Sequence, residues 1–189
     1  HNEGLSTMCG HGIIAVTKVV LQTGILPAKE GVNTVKIDSP AGRITAFATV
    51  KDGFVGEVAF NNVPSFLYME NIEVDVDGIG NIICDIAFGG AFYVYVDVDK
   101  INSTVDPENM EYQVAKGMEI KNKVIEKYNV VHPEEPGLNS IYGTIFMDKL
   151  DYQGDKVVSK NVCIFAEGQI DRSPTGTGTA GRIALMLSK

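Results

Sequence analysis

The sequence predicts an α+β fold, mostly antiparallel, built as two similar halves. Three observations carry this. Much of the chain alternates apolar and polar residues with period two, in short runs separated by Gly, Asp, Asn and Pro turn signals. Near each end a pattern X-Gly-X-Gly opens an apolar, helix-like run. Cys9-Gly10-His11-Gly12 precedes Ile13 to Leu21, and Thr175-Gly176-Thr177-Gly178 precedes Ala180 to Leu187. Each half therefore pairs a glycine-started helix with its own strands, the mark of a pseudo-twofold duplication. Asn62-Val63-Pro64-Ser65 reads as the passage between the halves, giving a first α/β domain over 1–63 and a second over 64–189.

The elements follow in order. Residues 1 to 8 are polar and irregular, and Ser6 or Thr7 is placed to cap a helix over 11–23. Apolar residues at 13, 14, 16, 19, 20 and 21 leave that helix little polar face, so it is expected to be buried. Gly24 and Pro27 stop it. Val35 and Ile37, then Ile44, Ala46, Ala48 and Val50, then Val55 to Val63 form a β-meander with turns at Pro40-Ala41-Gly42 and Asp52-Gly53. A second strand-rich block runs from Ile72 to Val98, turning at Asp77 to Asn81. The glycine pair Gly89-Gly90 interrupts it, which predicts a bulge or a close approach to a ligand. Asp106-Pro107 starts a helix that runs to about Tyr128, with Met110, Val114, Ile120, Val124 and Tyr128 on or near one face. Ile141 to Leu150 and Val157 to Ala166 are strands joined by Gly154-Asp155, ahead of the second glycine loop and the last helix.

Composition narrows the function classes. The chain has a formal net charge of −8 and three arginines, Arg43, Arg172 and Arg182, which argues against nucleic acid as a partner. No apolar run approaches a membrane span. Three cysteines, Cys9, Cys84 and Cys163, do not make a disulfide framework, and the start shows no signal-peptide pattern. A reduced, cytoplasmic enzyme or small-molecule binder is expected.

The two glycine loops are the candidate site. A helix N-terminus offers unpaired amides and a positive dipole end, and glycines there admit a ligand to the backbone. Two such ends facing each other would hold one small carboxylate, with Cys9 and Thr175 on opposite sides of it. Free cysteines are more often buried and inert, and that reading suits Cys84 and Cys163, which sit in strand patterns. Cys9 lies instead at a polar helix start, a setting that favours thiolate. His11 reads either as a capping residue or as a side chain that assists proton movement near Cys9. His1, Cys9 and His11 do not match a metal-site spacing, and no metal or cofactor is expected.

A dinucleotide site is the rival. Gly10 to Ala15 fits G-x-G-x-x-A, and Gly176 to Gly181 fits G-x-G-x-x-G. That motif needs a hydrophobic strand running directly into the loop. Glu3 to Met8 is not such a strand, and seven polar or turn-prone positions, Gly168 to Pro174, precede the second loop. Glu30 has a suitable spacing, but no second strand leads to it.

Ser6-Thr7-Met8-Cys9-Gly10-His11-Gly12 and Asp171-Arg172-Ser173-Pro174-Thr175-Gly176-Thr177-Gly178-Thr179 resemble the two signature loops of the proline racemase family. Asp85 to Phe92 and His132-Pro133 resemble further family segments, so the similarity runs over essentially the whole chain. The resemblance implies a diaminopimelate-epimerase-like fold: two α/β domains, each a curled sheet around a central helix, with the site in the cleft. It implies that Gly10, His11, Gly176 and Thr177 bind the substrate carboxylate through backbone amides and that Asp171 contacts the ring nitrogen. Arg172 reads as structural. Family members are longer at both ends, so the first domain is expected to lack its opening strands and the second its C-terminal end. A homodimer is compatible with the family.

The departure from the pattern is Thr175. The racemases carry a second cysteine there, and its replacement by threonine resembles the trans-3-hydroxy-L-proline dehydratase branch. Racemisation needs a base on one face of Cα and an acid on the other, and a threonine hydroxyl is too weak for either near neutral pH. Elimination of water from trans-3-hydroxy-L-proline needs one face only. The expected function is thus cofactor-independent dehydration by Cys9, giving 1-pyrroline-2-carboxylate. Proline racemase or 4-hydroxyproline 2-epimerase is the alternative, and a non-catalytic amino-acid-binding protein a further one.

Overall fold

The computed structural model describes residues 6–189, and the chain divides into two compact units, Ser6–Pro64 and Ser65–Lys189. His1, considered above as a metal ligand, and the opening of the Glu3-to-Met8 stretch lie outside the described residues.

In the smaller unit, helix α1 (Gly10–Gln22) packs on an antiparallel sheet of β1 (Gly31–Ser39), β2 (Gly42–Lys51) and β3 (Phe54–Asn61), in the order β1-β2-β3. Leu21, Val35, Ala48, Val50 and Val55 form its core. Gln22 fastens the end of α1 to the β2–β3 turn: its amide donates to the Gly53 carbonyl at 3.2 Å and accepts from the Val55 amide at 2.9 Å. The expectation of a buried helix is corrected. Only Ile13, Thr17 and Leu21 are buried, whereas Ile14, Val16 and Val19 are exposed, because three strands cover one face of the helix. The cap differs too. Cys9 is the N-cap, with no side-chain cap bond, and the Ser6 hydroxyl donates instead to the Met8 carbonyl at 3.1 Å.

The larger unit is a six-stranded sheet in the order β11-β10-β7-β6-β5-β4. Its strands are β4 (Phe66–Val76), β5 (Gly80–Phe88), β6 (Phe92–Asp97), β7 (Ile141–Met147), β10 (Asn161–Phe165) and β11 (Gln169–Ile170). An exposed ribbon, β8 (Asp151–Gln153) with β9 (Lys156–Val158), interrupts the β7–β10 hairpin. All pairs in the large sheet are antiparallel except β6 with β7, which are joined by the crossover helix α2 (Met110–Lys127). The last helix is α3 (Gly176–Ser188).

The two helices lie on opposite faces of this sheet. On one face Gly117 of α2 meets Ile164, and the Thr144 hydroxyl donates to the Gly117 carbonyl at 2.9 Å. On the other, Gly178 and Gly181 of α3 meet Ile145 and Tyr95. With both faces covered, β6 is buried from Phe92 to Val96 instead of alternating. The buried face of α2 carries Gln113, Gly117, Ile120, Lys121 and Val124, while Met110 is exposed. That is a rotation from the apolar stripe the sequence predicts. Gly117 faces the sheet there, where α2 comes so close that a Cβ would clash with Ile164.

The outer edge of α2 is tied to the β4–β5 turn by ions. Glu119 contacts Lys116 at 2.9 Å and Lys123 at 2.8 Å, and it accepts the Asp77 amide at 2.6 Å. Partial burial pushes the Glu119 carboxyl up, but Lys123, the Asp77 amide and Lys116 outweigh it and hold it at about 2. Its contribution to stability is therefore full above pH 4.5, the ordinary value, and is lost as pH falls toward about 2. Glu119→Gln should lower stability by about 1 kcal/mol at pH 7. Urea unfolding of both proteins from pH 7 to pH 3 should show the difference shrinking with acid. A difference that does not depend on pH would contradict the assignment.

Candidate active site

Each unit presents a helix start of the same construction. In α1 the first intrahelical bond runs from the Ile13 amide to the Cys9 carbonyl at 3.0 Å. In α3 it runs from the Thr179 amide to the Thr175 carbonyl at 2.7 Å. The amides of Gly10, His11 and Gly12, and those of Gly176, Thr177 and Gly178, precede those bonds and have no carbonyl to reach within their helices. Both sets lie at the positive end of a 13-residue helix.

Around Cys9 the glycines act by their size. A Cβ on Gly12 would stand 3.7 Å from the Cys9 sulfur, so the thiol lies over the first turn, beside the free amides. A Cβ on Gly10 would press on the ring of Phe60 at 3.2 Å. Cys9 is half-buried and its backbone is extended, at φ −137°. Behind it, the Ala41 amide donates to the Thr7 carbonyl at 3.1 Å, anchoring the approach to the β1–β2 turn. The His11 side chain is exposed at the second helical position, so it does not cap the helix.

Around Thr175 the loop is held by hydrogen bonds. Thr175 is 5% exposed and has φ +60°, a region that β-branched residues rarely adopt. Three contacts enforce it. The Thr175 hydroxyl donates to Asp171 Oδ2 at 2.9 Å, the Thr175 amide donates to the Ser173 hydroxyl at 3.1 Å, and the Ser173 amide donates to Asp171 Oδ1 at 2.9 Å. Each carboxylate oxygen of Asp171 thus accepts one hydrogen bond from its own loop and keeps a further acceptor site. Arg172 is exposed. Gly176 faces open space: a Cβ there would meet nothing within 4 Å.

Thr177, two residues on, lies in the first turn of α3. Its hydroxyl shares a 2.8 Å hydrogen bond with Tyr93 Oη, and Tyr95 Oη donates to the Gly178 carbonyl at 2.8 Å. Burial pushes both tyrosines well above their ordinary range, so they stand as neutral phenols that position the first turn of α3. The glycine pair is also explained. Gly89-Gly90 turns β5 into β6, and a Cβ on Gly89 would overlap the Thr177 carbonyl and the Gly181 amide. What approaches closely there is the backbone of α3.

Of the remaining candidates, Cys84 and Cys163 are buried, and burial pushes both thiols up to about 12. Cys163 has a neighbour the sequence did not reveal: the Thr175 side chain partly offsets the effect of burial on its thiol. Strand pairing and the loop turn place them together, which no local pattern signals. His132 is buried against Phe66, Phe88 and Phe92, and its Nδ1 accepts the amides of Glu134 and Glu135 at 3.3 and 3.1 Å, the role of a satisfied structural histidine. Among the described residues no group of three His, Cys, Asp or Glu side chains could hold a metal ion. No helix there is long and apolar enough to cross a membrane. The β6–α2–β7 crossover opens at Pro107 instead of at a glycine loop, and among the described residues neither glycine-started helix joins parallel strands, as a dinucleotide site needs.

Each unit thus starts a helix from a glycine loop, one at Cys9 and one at Thr175. The comparisons with known proteins give the family. A family model described as proline racemase matches residues 1–189, and the chain belongs to the proline racemase family. A Colwellia psychrerythraea protein named trans-3-hydroxy-L-proline dehydratase is 46% identical over 189 residues, covering 100% of this chain and 53% of the relative. A Bacillus cereus protein of the same name is also 46% identical, covering 100% of this chain and 56% of the relative. The chain spans about half the length of the curated relatives it matches. A crystal structure of a hydroxyproline epimerase from Agrobacterium vitis, with bound trans-4-hydroxy-L-proline, superposes with a TM-score of 0.86. It is 30% identical, with 97% of this chain and 52% of that one covered. The fold is therefore the α+β fold of that family.

The three cysteines should differ in reactivity. Cys9 should react with iodoacetamide in the native protein at pH 7.5, roughly a hundredfold faster than Cys84 or Cys163, which are buried thiols. Peptide mapping after timed labelling measures this. Equal labelling of all three under native conditions would remove the distinction.

Proposed function

We propose that the protein carrying this chain dehydrates trans-3-hydroxy-L-proline, with Cys9 as its catalytic base. In this substrate the 3-hydroxyl is trans to the carboxylate and so shares a face with the Cα hydrogen. The Cys9 thiolate removes the Cα proton, and the electron pair of that C–H bond forms the Cα–Cβ double bond. The C–O bond breaks, and the proton now on sulfur leaves with the hydroxyl as water. The enamine tautomerises to 1-pyrroline-2-carboxylate. Charge that develops toward the carboxylate is stabilised by the amides of Gly10, His11, Gly176 and Thr177, without a cofactor. Thr175 stands on the far face, and Asp171 serves the ring nitrogen.

The observation that carries this reading is Thr175. Where a racemase of this family has its second thiol, this chain has a hydroxyl whose proton is already donated to Asp171. Relatives at 46% identity that carry the dehydratase name support the same choice. The solved epimerase keeps the epimerase reading as the one to test against.

Incubation with the four trans and cis isomers of 3- and 4-hydroxyproline separates the readings. Trans-3-hydroxy-L-proline should lose water, and 4-hydroxyproline should not epimerise at a comparable rate. Cys9→Ser should lower dehydration at least a thousandfold with an unchanged melting temperature. Epimerisation of 4-hydroxyproline as the faster reaction would replace this reading with the alternative. Ligand binding without turnover of any isomer would replace it with the amino-acid-binding one.

A further inference from the structure

Two buried hydroxyls stand behind the two helix starts, one in each unit. In the smaller unit Thr17 is fully buried on α1, and its hydroxyl donates to the Ile13 carbonyl at 2.7 Å. In the larger unit Tyr95 is buried, and its hydroxyl donates to the Gly178 carbonyl at 2.8 Å. A Cβ on Gly181 would overlap the Tyr95 oxygen, so glycine there gives the phenol its place. Both carbonyls lie inside their helices and have an amide partner one turn on. Each hydroxyl is therefore a second donor on an oxygen that is already paired.

The peptide group behind each carbonyl carries the effect onward. The Gly178 carbonyl shares its peptide group with the Thr179 amide, which donates to the Thr175 carbonyl at 2.7 Å. The Thr175 carbonyl shares its own with the Gly176 amide, which has no acceptor within the helix and lies where a Cβ would meet nothing within 4 Å. In α1 the Ile13 carbonyl is joined in the same way to the Ile14 amide, whose helical partner is the Gly10 carbonyl. That last peptide group ends at the His11 amide. Resonance couples carbonyl and amide within a peptide group. A proton held against the oxygen makes the N–H a better donor, and successive bonds of this kind reinforce one another. Each buried hydroxyl sits at the closed end of such a relay, and a free N–H of the helix start is its open end.

We propose that Thr17 and Tyr95 are positioning residues that act through the backbone: each donates its proton into a relay that ends at a free amide, His11 for Thr17 and Gly176 for Tyr95, and so strengthens that amide as a donor to a carboxylate. This rests on the reading of those amides as contacts to the substrate carboxylate. Neither hydroxyl needs to touch the ligand. Tyr95 keeps its proton for the task, because burial pushes its phenol well above the ordinary range.

The test reads the amides first and the ligand second. Proton–nitrogen correlation spectra of the ligand-free protein report each amide separately. In Tyr95→Phe the Gly176 and Thr179 proton resonances should move upfield while that of His11 stays. In Thr17→Val the His11 and Ile14 resonances should move while that of Gly176 stays. Calorimetry with pyrrole-2-carboxylate should show about a threefold loss of affinity in each variant, a fraction of one charge-assisted hydrogen bond. The double variant should lose about ninefold, because the two relays end at different amides. Thr17→Ser, and 3-fluorotyrosine in place of Tyr95, retain the hydroxyl and should retain the affinity. Thr23→Val removes a like bond, from Thr23 to the Val19 carbonyl at the exposed far end of α1, and should change nothing.

Unchanged affinity in either Tyr95→Phe or Thr17→Val overturns the proposal. So does a loss of affinity without the paired amide shifts, which marks a general loosening of the fold. A parent protein that does not bind the probe overturns it too, since there is then no grip to strengthen. The dehydratase reading fails separately. Dehydration of trans-3-hydroxy-L-proline by a protein whose variants keep full affinity retains that reading and removes this one. The expected losses in a protein that dehydrates no hydroxyproline retain the relays and remove the proposed activity.

Discussion

The larger unit depends on how closely α3 can sit on its sheet. Three glycines remove the side chains that would stand in the way. A Cβ on Gly89 would overlap the Thr177 carbonyl, one on Gly178 would overlap Ile145, and one on Gly181 would overlap Tyr95. At that distance the helix backbone itself becomes a partner of the sheet. Tyr95 donates to the Gly178 carbonyl, and Tyr93 meets the Thr177 hydroxyl, both at 2.8 Å. These contacts hold the first turn of α3 from beneath, so its free amides and Thr175 are fixed by the core rather than by a surface loop. Pre-organisation of this kind is what an oxyanion-stabilising site needs, because donors that are already aimed cost no reorganisation during reaction.

The two helix starts share a plan and differ in how they are stiffened. At Cys9 the backbone is extended and unstrained, and the residues around the sulfur are small. At Thr175 the backbone is held at positive φ by a closed set of hydrogen bonds through Asp171 and Ser173. The strain there is of order 1–3 kcal/mol for a non-glycine residue. The same bonds that offset it consume the hydroxyl proton, so one local arrangement sets both the shape of the loop and the chemistry that Thr175 can present. A thiol in its place would be able to gain and lose a proton near neutral pH, and the hydroxyl is not. In the proposed reading, that one difference separates a reaction that needs two faces from a reaction that needs one.

What the sequence disclosed was the local part. The glycine loops, their helices and the meander of the smaller unit follow from residue type and period, because a helix start needs glycine or a cap and a hairpin needs a turn residue. The long-range part was not legible. The apolar faces of α1 read as buried on composition, but burial depends on how many strands arrive, and three cover one side. The stripe on α2 was placed by its apolar residues, whereas Gly117, with no side chain at all, decides which face docks. Gly89-Gly90 announced a bulge or the approach of a ligand, and the group that the structure brings close is the backbone of α3. Cys163 looked like any buried strand cysteine, and only the pairing of β10 with β7 and the turn back through Asp171 bring it to Thr175.

The central claim is that one face of the substrate carries a working base and the other does not. L-Proline in deuterated water tests it most directly, because proline has no hydroxyl to lose and only proton exchange remains. Cys9 should remove the Cα hydrogen and return a deuteron from the same side, giving deuterated L-proline of retained configuration. Exchange should be slow, since the thiol must first trade its proton with solvent. Chiral chromatography with mass detection reads both isomers. The account predicts label in L-proline and no D-proline above the background of Cys9→Ser. D-Proline formed at a rate near that of dehydration would contradict it, because some group other than Thr175 would then be serving the far face.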